Sequence, residues 1–70
     1  MKIGAIYVIY DCPRDFPNQF VCRIFHGDVP ERELFAVGDT IDEIHRQLPP
    51  GLYPIGRHQS DDRVIAEVWI

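Results

Sequence analysis

The chain has 70 residues, of which 46% are hydrophobic, and its formal net charge at pH 7 is −4. This length lies near the lower limit for one stable hydrophobic core, so we expect a single small domain, residues 1–70. The negative charge argues against a protein that binds nucleic acid by neutralising phosphates, although it permits binding to a basic partner surface. No apolar run reaches ~18 residues, so the sequence predicts no membrane-spanning helix and we expect a cytoplasmic protein.

The first predicted strand runs from Lys2 to Tyr10 and is apolar on both of its faces. One face carries Ile3, Ala5, Tyr7 and Ile9, and the other carries Ile6, Val8 and Tyr10. Apolar residues on both faces are typical of a central strand that is covered on both sides. A loop from Asp11 to Asn18 contains two prolines and leads to a second predicted strand from Gln19 to Phe25.

The only predicted helix lies in the stretch from Val37 to Gly51, after a short third strand from Glu33 to Val37. Thr40 and Glu43 fit a capping box, in which the Glu43 carboxylate bonds back to the N–H of Thr40. An apolar stripe follows at helical spacing, and it consists of Ile41, Ile44 and Leu48. Pro49 then ends the helix, which we expect to be about two turns long.

Two further strands are predicted after the helix. Leu52 to Arg57 is an edge strand, because Pro54 cannot donate a hydrogen bond to a neighbour. Arg63 to Ile70 is the last strand. We therefore predict an α+β fold of order β-β-β-α-β-β, in which an antiparallel five-stranded sheet of strand order 3-2-1-5-4 carries one short helix on one face. This order makes every neighbouring pair antiparallel and places the two most apolar strands in the middle.

One short helix cannot cover both faces of a five-stranded sheet. Sheet curvature, the loop that carries Phe16 or a second chain must therefore shield the remaining apolar surface, and large exposed apolar patches usually mark binding sites. The acidic start of the helix offers a second binding surface. The candidate partner-binding residues are Tyr7, Tyr10, Phe25, Ile65, Trp69, Asp39, Asp42 and Glu43.

Candidate chemistry is sparse. His58, Ser60 and Asp61 have the residue types of a hydrolytic triad, but residues this close in a turn favour a solvated β-turn over triad geometry. Cys22 and His26 lie four positions apart, which in a strand separates them by ~13 Å and cannot clamp one ion. We expect no catalytic residues, no metal and no cofactor. With only two cysteines, we expect free thiols and a buried Cys22.

Two stretches resemble known families. The segment from Ala36 to Ile44 contains a Gly-Asp-Thr-x-x-Glu step similar to the strand-to-helix junction of HicB-type antitoxin domains. The C-terminal pattern resembles small uncharacterised proteins of proteobacteria and their phages, and it consists of Pro49-Pro50-Gly51-Leu52, Arg57, Asp61-Asp62, Val64-Ile65 and Glu67-Val68-Trp69. The second resemblance implies a phage-type accessory protein, for example an inhibitor of the anti-CRISPR kind.

Three functions remain open from the sequence. The first is a non-enzymatic module that binds a protein partner or forms a homodimer. The second is an antitoxin-like regulatory domain that neutralises a small basic toxin. The third is a small hydrolase or isomerase, which needs a cleft that so small a sheet can hardly form without a second chain.

Overall fold

The fold was analysed in a computed structural model that describes residues 4–55 and 64–70. Within these ranges the chain forms an antiparallel sheet and one short helix. The elements in chain order are β1 (Ile6–Asp11), β2 (Phe20–His26), β3 (Val29–Pro30), β4 (Ala36–Gly38), α1 (Ile41–His45) and β5 (Ile65–Trp69). The predicted α+β fold is therefore confirmed.

The sheet is organised around β1, which pairs with β2 on one side and with β5 on the other, antiparallel in both cases. The far side of β2 pairs with both β3 and β4. A segment around Pro54 pairs with Trp69 on the far side of β5. The predicted strand order 3-2-1-5-4 is confirmed, since β4, which overlaps the third predicted strand, pairs with β2. β3 pairs with the same side of β2 but lies before the predicted strand, at Val29–Pro30.

The third strand differs from its predicted bounds because its backbone leaves the sheet between β3 and β4. It stays anchored at both ends, where the N–H of Glu31 donates to the carbonyl of Ile24 and the N–H of Phe35 to that of Cys22, each at 2.8 Å. Between these points the Arg23 guanidinium donates to the carbonyl oxygen of Glu31 at 2.7 Å. A side chain thus supplies a donor to a carbonyl beside the interrupted ladder.

The fourth predicted strand is reduced to a short edge segment. Tyr53 and Ile70 exchange two backbone hydrogen bonds of 2.7 and 2.9 Å, and the N–H of Ile55 donates to the carbonyl of Val68 at 2.9 Å. Pro54 lies between them without a donor, in keeping with its predicted place at an edge. The end of this predicted strand and the polar turn at 58–62 lie outside the described residues.

The helix is shorter than predicted, and its cap differs in one partner. Thr40 is the N-cap, and its hydroxyl accepts from the N–H of Glu43 at 3.3 Å. The Glu43 carboxylate accepts from the N–H of Asp39 at 2.7 Å, whereas the sequence predicted the N–H of Thr40. This geometry needs Gly38, because a Cβ there would lie 2.8 Å from the Glu43 carboxylate and from its Cβ.

A cluster of buried hydrophobic residues lies on the helix side of the sheet, and two further buried residues, Val8 and Val21, lie on the other side. Ile9, Cys22 and Ala36 face one another across three neighbouring strands, and Ile44 of the helix packs against them. Ile9, Cys22 and Ile44 have no exposed surface. Partly buried hydrophobic residues surround this cluster, among them Phe35, Leu48 and Trp69.

The cap of the helix predicts a measurable loss of stability in Thr40→Ala. Removal of the hydroxyl leaves the N–H of Glu43 without its side-chain acceptor, which costs about 1 kcal/mol of unfolding free energy. For a domain of this size the melting temperature should fall by roughly 4–8 °C. Thr40→Ser keeps the hydroxyl and serves as the control. Equal melting temperatures for the alanine and serine variants would contradict the assigned cap.

The two thiols should react very differently. Burial raises the pKa of Cys22 to about 12, so almost none of it is thiolate at pH 8. Cys12 is exposed, although its hydrogen bond to Asp11 raises its pKa, so its reactivity should increase as the pH rises. A chromogenic disulfide reagent should modify one thiol per native chain and two in denaturant. Cys12→Ser should leave no thiol reactive in the native protein, and rapid native modification of two thiols would disprove the buried position of Cys22.

Candidate functional site

The candidate site is the side of the sheet opposite the helix, here called the open face. Side chains alternate along each strand, so the neighbours of the core residues in sequence point to this side. A register shift between Ile9 and Tyr10 pairs Tyr10 with Ile65 and brings Ile65 to the open face as well. The strand residues of the open face are Ile6, Val8, Tyr10, Val21, Arg23, Phe25, Pro30, Val37, Ile65 and Val68.

The edge segment extends this face with its most exposed apolar side chains. Tyr53 and Ile55 flank Pro54 and therefore share one side of the segment, beside Ile70 and Val68. Tyr53 is 73% exposed, Ile55 56% and Ile70 50%. Val8, nearer the middle of the sheet, is buried. The open face thus has a packed centre and a protruding apolar corner.

The opposite corner of the open face contains a pocket of about 210 Å³. Its apolar walls are provided by the ends of β1 and β2, by the loop after β1 and by the excursion between β3 and β4. A turn in the loop, closed by a 2.8 Å bond from the N–H of Phe16 to the carbonyl of Pro13, places Phe16 beside the sheet. The pocket is lined by Tyr10, Pro13, Phe16, Val21, Leu34 and Val64, with Arg23 and Asp15 as its charged members.

Arg23 is held in place by the interrupted third strand. One guanidinium nitrogen donates to the carbonyl of Glu31 at 2.7 Å and lies 3.5 Å from the carbonyl of Arg32. The same excursion carries Leu34 to the pocket, while its neighbour Phe35 stacks edge-on against Tyr7 at 5.1 Å on the helix side. The break in the strand therefore builds one wall of the pocket and orients its cation.

The structure brings together only some of the aromatic and apolar candidates. Tyr10, Phe25 and Ile65 share the open face. Tyr7 and Trp69 lie on the helix side, where they pack against the core cluster. The predicted partner-binding set is therefore divided between the two sides of the sheet.

Trp69 belongs to a polar cluster that joins the helix to β5. Its indole Nε1 donates to Glu67 Oε1 at 2.9 Å, and His45 Nε2 lies 2.6 Å from the same oxygen. The His45 and Trp69 rings meet at an angle of 63° with 5.4 Å between their centroids. One carboxylate thus serves two partners, which anchors the C-terminal end of the helix to the sheet.

The acidic candidates at the helix start have local structural partners. Glu43 accepts from the backbone of Asp39, and Asp39 in turn accepts from the Gln19 side chain at 3.3 Å. Asp42 is exposed in the first turn, where its charge favours the helix dipole. These three carboxylates lie at the helix start and are not among the residues that line the open-face pocket.

Sequence reasoning missed several residues of the open face, chiefly Tyr53, Ile55, Ile70, Arg23 and Leu34. A signal for the first two was present, because apolar residues on either side of an edge proline must share one side of the strand. No comparable signal marked Leu34, whose position depends on the interruption of the third strand.

Comparisons with protein-family models, with curated proteins and with solved structures find no match to this chain. Among the described residues, no helix is long and apolar enough to cross a membrane. The same part of the chain contains no group of three or more His, Cys, Asp or Glu side chains that could hold a metal ion.

The shared carboxylate predicts a graded response to substitution of Glu67. Glu67→Leu removes the acceptor of the Trp69 indole and should cost about 1 kcal/mol of unfolding free energy. This cost is low for a hydrogen bond to a charged group, because the Glu67 side chain is one-third exposed. Glu67→Gln retains an acceptor oxygen and should cost less. Urea unfolding followed by the fluorescence of Trp69, the only tryptophan in the chain, measures both. A glutamine variant as unstable as the leucine variant would contradict the acceptor role.

Proposed function

We propose that this protein is a non-enzymatic interaction module that binds a protein partner through the open face. The observation that carries the proposal is the apolar corner formed by Tyr53, Ile55 and Ile70, whose side chains are half or more exposed on the side away from the helix. Contiguous exposed apolar surface with a polar surround is typical of protein-binding sites. The described helix supports only the other side of the sheet.

The charge distribution favours a protein as the partner. Arg23 is the only cationic side chain that the described strands place on the open face, and the whole chain carries a net charge of −4. A surface that stacks nucleic-acid bases combines aromatic side chains with a cationic groove. An apolar face with one positioned arginine instead has the composition of a protein interface, in which aromatic residues and arginine are enriched.

The pocket supports binding better than catalysis. Its walls are apolar, and its two charged members are Arg23 and Asp15. The guanidinium is already bonded to backbone carbonyls, so it suits a fixed role in recognition. Such a pocket can bind a side chain of the partner protein, and this binding needs no cofactor.

A small acidic binder of this type suits a bacterial or phage accessory role in the cytoplasm, such as inhibition of a host protein. The net negative charge supports a partner with a basic surface, and Asp42 adds an exposed charge at the helix start. Electrostatic attraction of this kind weakens as the salt concentration rises. Binding through the apolar open face should persist at high salt, which separates the two contributions.

Substitution of Ile70 by glutamate tests the proposal. A carboxylate at the apolar corner should weaken partner binding at least about ten-fold, equivalent to ~1.4 kcal/mol, because it must be desolvated in the interface. The tagged protein is purified from cells that express it, and its bound partner, whether a second copy or another protein, is identified and quantified by native mass spectrometry.

Val29→Glu provides the matched control. Val29 is 67% exposed, and its pairing with His26 places it on the helix side at the edge of the sheet. The same change of charge there should leave binding intact. Equal retention of the partner by both glutamate variants, or equal loss from both, would refute the open face as the binding surface.

A further inference from the structure

The open face carries a protrusion and a recess at diagonally opposite corners. Tyr53 lies beside Ile70, next to the row of Ile6, whereas the pocket lies at the row of Tyr10. Four residues along β1 separate these rows by ~13 Å, and two to three strand spacings separate the corners by ~12 Å in the other direction. The two features are therefore about 18 Å apart and cannot meet within one chain.

We propose that a second copy of this chain covers the open face and that Tyr53 of each copy inserts into the pocket of the other. This inference rests on the proposed function and names the occupant of the open face; the acidic helix start, which would attract a basic partner, is not part of this contact. Tyr53 and the pocket lie on the same face of each chain. The same contact, made twice, therefore buries both tyrosines and fills both pockets.

Two-fold symmetry allows this exchange. A two-fold axis that lies in the interface, perpendicular to the diagonal, carries each protruding corner onto the recess of the other copy and produces an isologous dimer. The diagonal runs at roughly 45° to the strands, so the strands of the two sheets would cross at about 90°. Orthogonal crossing is one of the two preferred modes of sheet-on-sheet packing.

The size and chemistry of the pocket suit a tyrosine ring. A cavity of about 150 Å³ holds benzene, so 210 Å³ is sufficient for a phenol ring. Phe16, Val21 and Leu34 offer apolar contacts to the ring. Arg23 and Asp15 provide a donor and an acceptor for the hydroxyl, and a buried tyrosine hydroxyl usually has such a partner.

The electrostatics of the open face also permit two acidic chains to meet. The acids at the helix start, Asp39, Asp42 and Glu43, are not among the residues that line the open-face pocket. The charged side chains of the pocket are one cation and one anion, Arg23 and Asp15. Among the described residues, the pocket therefore adds no excess of negative charge to the interface.

The available area favours contact through the face over contact through an edge. A stable interface buries about 800 Å² per partner, which is about a seventh of the 5326 Å² surface of this chain. The exposed part of the open face is its apolar corner and its rim, since Val8 and Val21 at its centre are buried. The outer edges are short, since β3 and β4 have two and three residues and Pro54 interrupts the other edge.

Sedimentation equilibrium of the full chain tests the inference. Wild type should be a dimer, and Tyr53→Ala should raise the dimer dissociation constant about ten- to a hundred-fold, in the range of an aromatic anchor. Tyr53→Phe keeps the ring and should change it only several-fold, since one hydrogen bond is lost. Val29→Ala, at a similarly exposed site on the helix side, should have no effect. Circular dichroism confirms that each variant remains folded.

A disulfide trap tests the contact itself. In a Cys12→Ser background, Tyr53→Cys together with Asp15→Cys should form an interchain bond under mild oxidation at a protein concentration above the dissociation constant of the Tyr53→Ala dimer, because the bond requires Cα atoms within about 7 Å. Val29→Cys with Asp15→Cys should not. Each of these outcomes supports the paired exchange of Tyr53 and pocket.

Different failures have different meanings. A wild-type monomer at every concentration overturns the second copy as the occupant. If another protein is then bound and Ile70→Glu releases it, the proposed function stands without the dimer. A dimer that is insensitive to Tyr53→Ala and forms no trap overturns the contact, and a dimer weakened equally by Val29→Ala assigns it to another surface.

Discussion

The structure depends on the packing of one five-residue helix against one side of a five-stranded sheet. Ile44 closes a row formed by Ile9, Cys22 and Ala36, and these residues are almost completely removed from water. A helix of five residues is not stable in isolation. Its stability therefore comes from the N-cap and from this packing. The same shortness leaves the other side of the sheet without a helix.

The open face is shaped by a local interruption of the third strand. Where β3 stops, Arg23 supplies a donor to the displaced backbone, and the chain returns with Leu34 on one side of the sheet and Phe35 on the other. The result is a recess that a regular strand would have filled. The sheet is therefore recessed at one corner of the open face, and at the other corner Tyr53 and Ile55 of the proline-bearing edge are exposed.

The register shift beside Tyr10 explains why the aromatic candidates divide. Strict alternation would place Ile65 and Trp69 on the same side of the last strand, since an even number of residues separates them. The extra residue in β5 reverses this relation, so that Trp69 packs against the helix and Ile65 lies on the open face. Such a shift depends on pairing with β1, and nothing in the local sequence marks it.

The sequence by itself determined the order of the elements, the antiparallel arrangement, the capped helix start and the edge position of Pro54, because each follows from local propensity, proline chemistry or hydrophobic alternation. Only the tertiary structure decided where the third strand breaks, which side Trp69 occupies and how Leu34, Arg23 and Phe16 form a pocket. These depend on contacts between residues that are distant in the chain, and local patterns do not encode such contacts.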